Sequence, residues 1–146
     1  MNPADLFADS DPERQHAAEQ RLRRIAHEAK VMAYAPYSQF RVGAALLTRS
    51  GQIFTGCNVE NASYGAGICA ERTAFVKAIS EGHLQFDAVC VASDATEGPT
   101  WPCGICRQFM VEYGADLEVI ATSAADHLVR LKLRSILPLF FGPADL

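Results

Sequence analysis

Four residues in two short stretches have the types and spacing for a metal-centred hydrolytic site: Cys69, Glu71, Cys103 and Cys106. Cys103-Gly104-Ile105-Cys106 sets two thiols two residues apart, so that one tight turn can bring both sulfurs to a single ion at about 2.3 Å. The same spacing fits a redox dithiol, half of a structural zinc knuckle, or two cysteines in a first helical turn with no shared task. Cys69 adds a third sulfur. It stands at the predicted start of one helix, as Cys103 after Pro102 stands at the start of another. Both thiols would then face backbone N–H groups with partial positive charge, which favours the thiolate a metal requires. Three thiolates leave one tetrahedral position open, the condition of a catalytic rather than a structural zinc site. Glu71, two residues after Cys69, can reach a water at that position without being a ligand, which suits a general base.

The remaining candidates are weaker. Cys57, in a predicted hairpin strand, is the one further thiol that could close the site as a fourth ligand, whereas Cys90, between Val89 and Val91, reads as a small buried hydrophobe. His16, His27, His83 and His127 show no paired ligand spacing. A first ligand, any residue, then glutamate, followed later by Pro-Cys-x-x-Cys, is the order found in zinc deaminases of nucleobases. Here it reads Cys69-Ala70-Glu71 and Pro102-Cys103-Gly104-Ile105-Cys106, and the two halves together are far more specific than either alone.

The elements that must position these residues follow from periodicity. Asp11 before Pro12 is an N-cap, and Ala18, Leu22, Ile25, Ala29 and Met32 recur at helical spacing in a helix that should end before Pro36. Residues 40–48 and 53–57 predict a strand pair about the turn Arg49-Ser50-Gly51-Gln52. Residues 69–80 predict a largely apolar helix closed by Gly82, 86–92 a strand, 104–113 a helix closed by Gly114, 117–121 a strand, 129–133 a further strand, and a short helical turn precedes Pro138. Strand and helix alternate, so a layered α/β domain is expected over residues 11–146, with residues 1–10 as a loose tail.

Bulk properties exclude several functions. The 146 residues suit one domain, and the formal charge of −4 argues against a phosphate-neutralising surface, hence against nucleic acid as partner. No apolar run approaches the roughly 20 residues of a membrane span, and Met1 to Gln20 lacks the basic patch and apolar stretch of a secretion signal, so a cytoplasmic location is expected. Five cysteines in such a chain speak against a disulfide framework.

Residues 33–141 resemble the short, homotetrameric, zinc-dependent class of cytidine deaminases. The resemblance is carried by Met32 to Ser38, Phe40 to Leu46, Gly56-Cys57-Asn58-Val59-Glu60-Asn61, Cys69 to Arg72, and Pro102 to Gln108. It implies a three-layer α/β/α sandwich around a mixed, roughly five-stranded sheet, one Zn²⁺ per chain, and a small nucleoside as substrate. It assigns Asn58 and Glu60 to the ribose, Phe40 to the pyrimidine ring and Ala70 to the substrate pocket. It makes Arg72 an outer arginine that hydrogen-bonds the zinc thiolates, and Phe141, with Phe140 as the alternative, an aromatic that enters a neighbouring subunit's site. The implied reaction is hydrolysis of cytidine and 2′-deoxycytidine to the uridines plus ammonia, in pyrimidine salvage. Zinc-bound hydroxide attacks C4 while Glu71 takes the water proton and delivers it to N3, and Glu71 later protonates the departing amine.

Other readings make different demands. A deaminase of another aminopyrimidine or of a nucleotide would have to tolerate the acidic Glu60 in the sugar pocket. A polynucleotide editor would need strand-binding elements and positive charge. A non-enzymatic zinc module would need a fourth ligand and leaves Glu71 without a task. The glycine-rich loop Ala62 to Ile68 departs from the family pattern and bears on substrate breadth.

Overall fold

The computed structural model describes Phe7 and residues 11–146, so the tail read over 1–10 lies outside the described residues apart from Phe7. Five strands form one mixed sheet: β1 (Val42–Thr48), β2 (Ile53–Cys57), β3 (Phe86–Ser93), β4 (Glu118–Thr122) and β5 (Leu128–Lys132), in the order β2-β1-β3-β4-β5. Only β3 and β4 run parallel; β1–β2, β1–β3 and β4–β5 are antiparallel. The connection between the parallel strands contains α3 (Gly104–Val111), as a parallel pair demands a crossover.

Alternation along the strands splits the apolar side chains between two faces. Ala45, Leu47, Ala88, Cys90, Ala92 and Ile120 meet Leu22 and Ala26 of α1 (Pro12–Lys30). Ala44, Leu46, Val89 and Val119 meet Ala70, Ala74, Phe75 and Ala78 of α2 (Ala70–Ser80), Cys106 and Met110 of α3, and Leu133 of α4 (Leu133–Ile136). The result is the expected three-layer α/β/α arrangement, with one helix on one face and the metal-ligand candidates on the other. Cys90 is fully buried, as its neighbours predict.

Two glycines set how closely the helices approach. A Cβ on Gly43 would lie 2.1 Å from the Ala26 carbonyl oxygen of α1, and one on Gly56 would lie 2.3 Å from the Ala70 carbonyl oxygen of α2. Gly56 pairs with Ala44 and Gly43 with Cys57, so the two bare positions serve opposite faces of the same strand pair.

The structure corrects the expected face of α1. Asp11 does cap it, accepting from the Glu13 amide at 3.0 Å. Its buried positions, however, are Ala18, Leu22, Ala26 and Lys30, a stripe of step four, while Met32 lies beyond the helix end and is 77% exposed. An apolar pattern could not reveal that a lysine closes the stripe. Phe40 likewise precedes β1 instead of opening it, because the chain enters the sheet only at Val42. Gly82, at φ +92°, closes α2 as expected.

Gly56→Ala is expected to destabilise the fold by about 1–3 kcal/mol through overpacking against backbone. The same shift should move the start of α2 and lower zinc retention. Chemical denaturation and bound-metal analysis of the variant measure both; unchanged stability would mean that α2 does not rest on Gly56.

Candidate active site

Cys69 is the N-cap of α2 and Cys103 the N-cap of α3, and Cys106 lies one turn into α3. The backbone of both caps is extended, so the chain arrives from outside each helix and the two helix starts converge. The sulfurs of Cys69, Cys103 and Cys106 all lie within 4.8 Å of one another, with 3.7 Å between Cys69 and Cys103. A tetrahedral ion with bonds of about 2.3 Å sets its sulfurs about 3.8 Å apart, so the cluster fits zinc by spacing as well as by donor type. No fourth Cys, His, Asp or Glu joins the group among the described residues. Cys57 in β2 and the four histidines are outside it; His83, for example, packs on the Phe54 ring with centroids 5.2 Å apart.

Arg72 and Glu71 flank the sulfurs from the first turn of α2. Arg72 donates from Nε to Cys106 at 3.4 Å and from an Nη to Cys69 at 3.5 Å. Glu71 is 3% exposed, and its Oε2 lies 3.7 Å from the Cys106 sulfur. Burial, reinforced by the charge of Cys69, pushes its carboxyl up to about 7. The Cys69 thiol is brought down to about 5, chiefly by the hydrogen bond from Cys106, with Arg72 and Cys103 assisting. Neither cap thiol hydrogen-bonds a helix N–H. Cys106 is pushed up because it donates to Cys69 and is buried.

From Cys69 and Arg72 a cleft of about 490 Å³ opens toward Asn58 and Glu60, with Tyr37, Ser38 and Tyr64 among its walls. That volume lies in the range of small-molecule sites, about 300–1,000 Å³. Asn58 and Glu60 are also built into the loop opposite. Asn58 accepts from the Val42 amide at 2.8 Å and donates to the Phe40 carbonyl at 2.8 Å. Glu60 Oε1 accepts from the amides of Tyr37 and Ser38, both at 3.0 Å, and Oε2 accepts from the Ser38 hydroxyl at 2.5 Å. These bonds, the Ser38 hydroxyl first, hold the Glu60 carboxyl below the usual range, so it stays ionised. A carboxylate offers about four lone-pair positions and a primary amide two N–H groups. Glu60 thus keeps an acceptor position on Oε2, and Asn58 keeps one donor.

The other expected residues are placed less simply. The Phe40 ring is 43% exposed and does not line the cleft; the methyl group of Ala70 is fully buried beneath the sulfurs, where it packs. Phe140 packs against the core, whereas Phe141 is 61% exposed and its carbonyl accepts from Gln108 at 2.8 Å. Ser38 was given no role by the sequence, yet it holds Glu60 through both amide and hydroxyl. The turn-forming run Ala35-Pro36-Tyr37-Ser38 was the available signal.

Comparison with known proteins gives a consistent result. Residues 16–122 match the family model described as the cytidine and deoxycytidylate deaminase zinc-binding region. The chain is 50% identical over 121 residues to a Dictyostelium discoideum protein named "Probable cytidine deaminase", covering 83% of this chain and 82% of that one. It is 45% identical over 120 residues to a cytidine deaminase of Sporosarcina psychrophila, covering 82% and 88%. Among solved structures, the cytidine deaminase from Burkholderia pseudomallei superposes with a TM-score of 0.81 at 46% identity, covering 84% of this chain and 98% of that one.

Replacing Cys103 by Ala leaves two sulfurs and is expected to reduce bound zinc from one per chain to a small fraction. Metal analysis of the purified variant tests this. Full retention of zinc would remove Cys103 from the ligand set.

Proposed function

The chain belongs to the cytidine and deoxycytidylate deaminase family, a family of zinc-dependent hydrolases, and on that footing we propose that it hydrolyses the 4-amino group of cytidine and 2′-deoxycytidine, giving the uridines and ammonia. The observation that carries the reading is the juxtaposition of a buried carboxyl, Glu71, with a three-sulfur cluster that has no fourth protein ligand among the described residues and opens on a nucleoside-sized cleft.

Cys69, Cys103 and Cys106 would hold Zn²⁺, which when bound supplies Lewis acidity and makes water a nucleophile near neutral pH. Arg72, donating to two of the sulfurs, withdraws charge from the thiolates. Such contacts orient ligands and tune the ion they bind. Glu71 takes a proton from the attacking water and passes it to ring N3, then takes the remaining proton from the new C4 hydroxyl and gives it to the amine as the C4–N bond breaks, so one carboxyl acts as base and as acid in turn. Its buried position keeps bulk water from competing for those protons.

At the far end of the cleft, the free donor of Asn58 and the free acceptor position of Glu60 suit ribose hydroxyls. An ionised Glu60 disfavours a phosphate nearby, which favours nucleosides over the nucleotides that the family also includes. Phe40 is assigned to the pyrimidine ring, Ala70 to the pocket floor, and Phe141 to a neighbouring subunit's site in a homotetramer. The exposure of Met32, Tyr64 and Phe141, at 77%, 82% and 61%, leaves apolar side chains that another copy would cover. Pyrimidine salvage in the cytoplasm is the role consistent with this reading; among the described residues no helix is long and apolar enough to cross a membrane.

The ultraviolet change from cytidine to uridine, followed with and without a chelator, tests the activity: conversion that stops when zinc is stripped is expected. Glu71→Gln should keep its zinc and lose about 10²-fold to 10⁴-fold in turnover. Near-normal turnover in that variant would take Glu71 out of the mechanism.

A further inference from the structure

On the sheet face opposite the sulfurs, one carboxylate joins two points of the chain that bracket the cleft's outer wall. Asp94 directly follows β3. Its Oδ1 is 2.7 Å from Nζ of Lys30, the last residue of α1. Its Oδ2 accepts from Nε of Arg41 at 2.8 Å and its Oδ1 from the Arg41 Nη2 at 3.2 Å, a two-pronged contact just before β1. Between Lys30 and Arg41 runs segment 31–40, which carries the Tyr37 and Ser38 groups bonded to Glu60 and the Phe40 carbonyl bonded to Asn58.

We propose that Asp94 is a positioning residue for substrate binding: by tying Lys30 and Arg41 together it fixes both ends of segment 31–40, and through that segment the orientation of Glu60 and Asn58.

Three further observations support the tether. The segment has little regular structure of its own, with a single bridge between Tyr34 and Val59. Gln39 holds φ +55°, a left-handed conformation that costs a non-glycine residue free energy and persists only where the surroundings impose it. The side chain of Lys30 is only 11% exposed, and Nζ also donates to the Ser93 carbonyl at 3.3 Å. An ammonium group removed from water in this way must be paired, which makes the Asp94 contact a fixed point instead of a mobile surface pair. The zinc ligands lie on other elements, so loosening the tether should leave the metal in place.

Since this role rests on the nucleoside-deaminase reading, the test has a kinetic arm and an arm independent of substrate. In the full-length zinc-loaded protein, Asp94→Asn is expected to raise KM for cytidine about tenfold, the scale of a small misplacement of a binding group. Turnover should stay within about threefold, the pattern of lost binding rather than lost transition-state contacts. Zinc should remain at one per chain. Hydrogen exchange at the Tyr37 and Ser38 amides should quicken about tenfold, because their acceptor is no longer held opposite them. Arg41→Gln, at the more exposed end, should change both readouts in the same direction and less; it carries the test if Asp94→Asn does not fold. A lower melting temperature with unchanged KM, or unchanged exchange at Tyr37 and Ser38, overturns the proposal. If the wild-type protein leaves cytidine untouched, the nucleoside reading fails, and the exchange result alone decides whether the tether exists.

Discussion

Three sulfurs within 4.8 Å of one another can exist only where the first turns of α2 and α3 converge, and much of the architecture serves that meeting. Sulfur ligands attract a cation, but as thiolates they repel one another, so their approach depends on what surrounds them. Arg72 supplies positive charge from the same helix as Cys69 and donates to the sulfurs of both Cys69 and Cys106. Packing supplies the rest. The bare Gly56 lets the backbone of α2 at Ala70 and Ala74 come close to β2, so the helix sits deep on the sheet. The aromatic cluster of Phe75, Phe86, Phe109 and Tyr113, with ring centroids 4.8 to 6.1 Å apart, locks the two helices together behind the site.

The same convergence explains why Glu71 is buried. Glu71 lies in the first turn of α2, and the space around its carboxyl is closed by Cys106 of α3. Burial raises the carboxyl toward neutrality, where it can both accept and return a proton. Glu60 is held in the opposite condition. Two amides and a hydroxyl keep it ionised at the mouth of the cleft, so the two glutamates of one site are set to different tasks by surroundings rather than by residue type.

How much of this was legible in the sequence depends on distance along the chain. The β1–β2 hairpin, α2 and β3 follow from local periodicity and turn chemistry, and the sulfur set follows from ligand spacing, because those signals lie within a few residues of one another. The role of Ser38 was not legible, since its partner Glu60 is 22 residues away. Nor was the burial of Lys30, whose partner Asp94 lies on the far side of α2 in sequence; an apolar pattern treats lysine as solvent-facing and so extended the stripe to Met32. The resemblance assigns Asn58 to the ribose, and its amide also joins Phe40 to Val42, a link that no local pattern announces. Residue types identify capacity for hydrogen bonds, and only the fold shows how much of that capacity is spent internally.

That internal spending has a consequence for specificity. An Asn or Glu with all its bonding free would be mobile and would lose side-chain entropy on binding. Here Asn58 and Glu60 are already fixed by five hydrogen bonds, four to the segment between α1 and β1 and one to Val42 at the start of β1, so most of that entropy is lost on folding instead. The few positions left open then point in set directions. A ligand is discriminated by whether its hydroxyls meet those directions. One end of the cleft is set by the sulfurs and the other by the segment, and the sheet between α1 and α2 lies behind both.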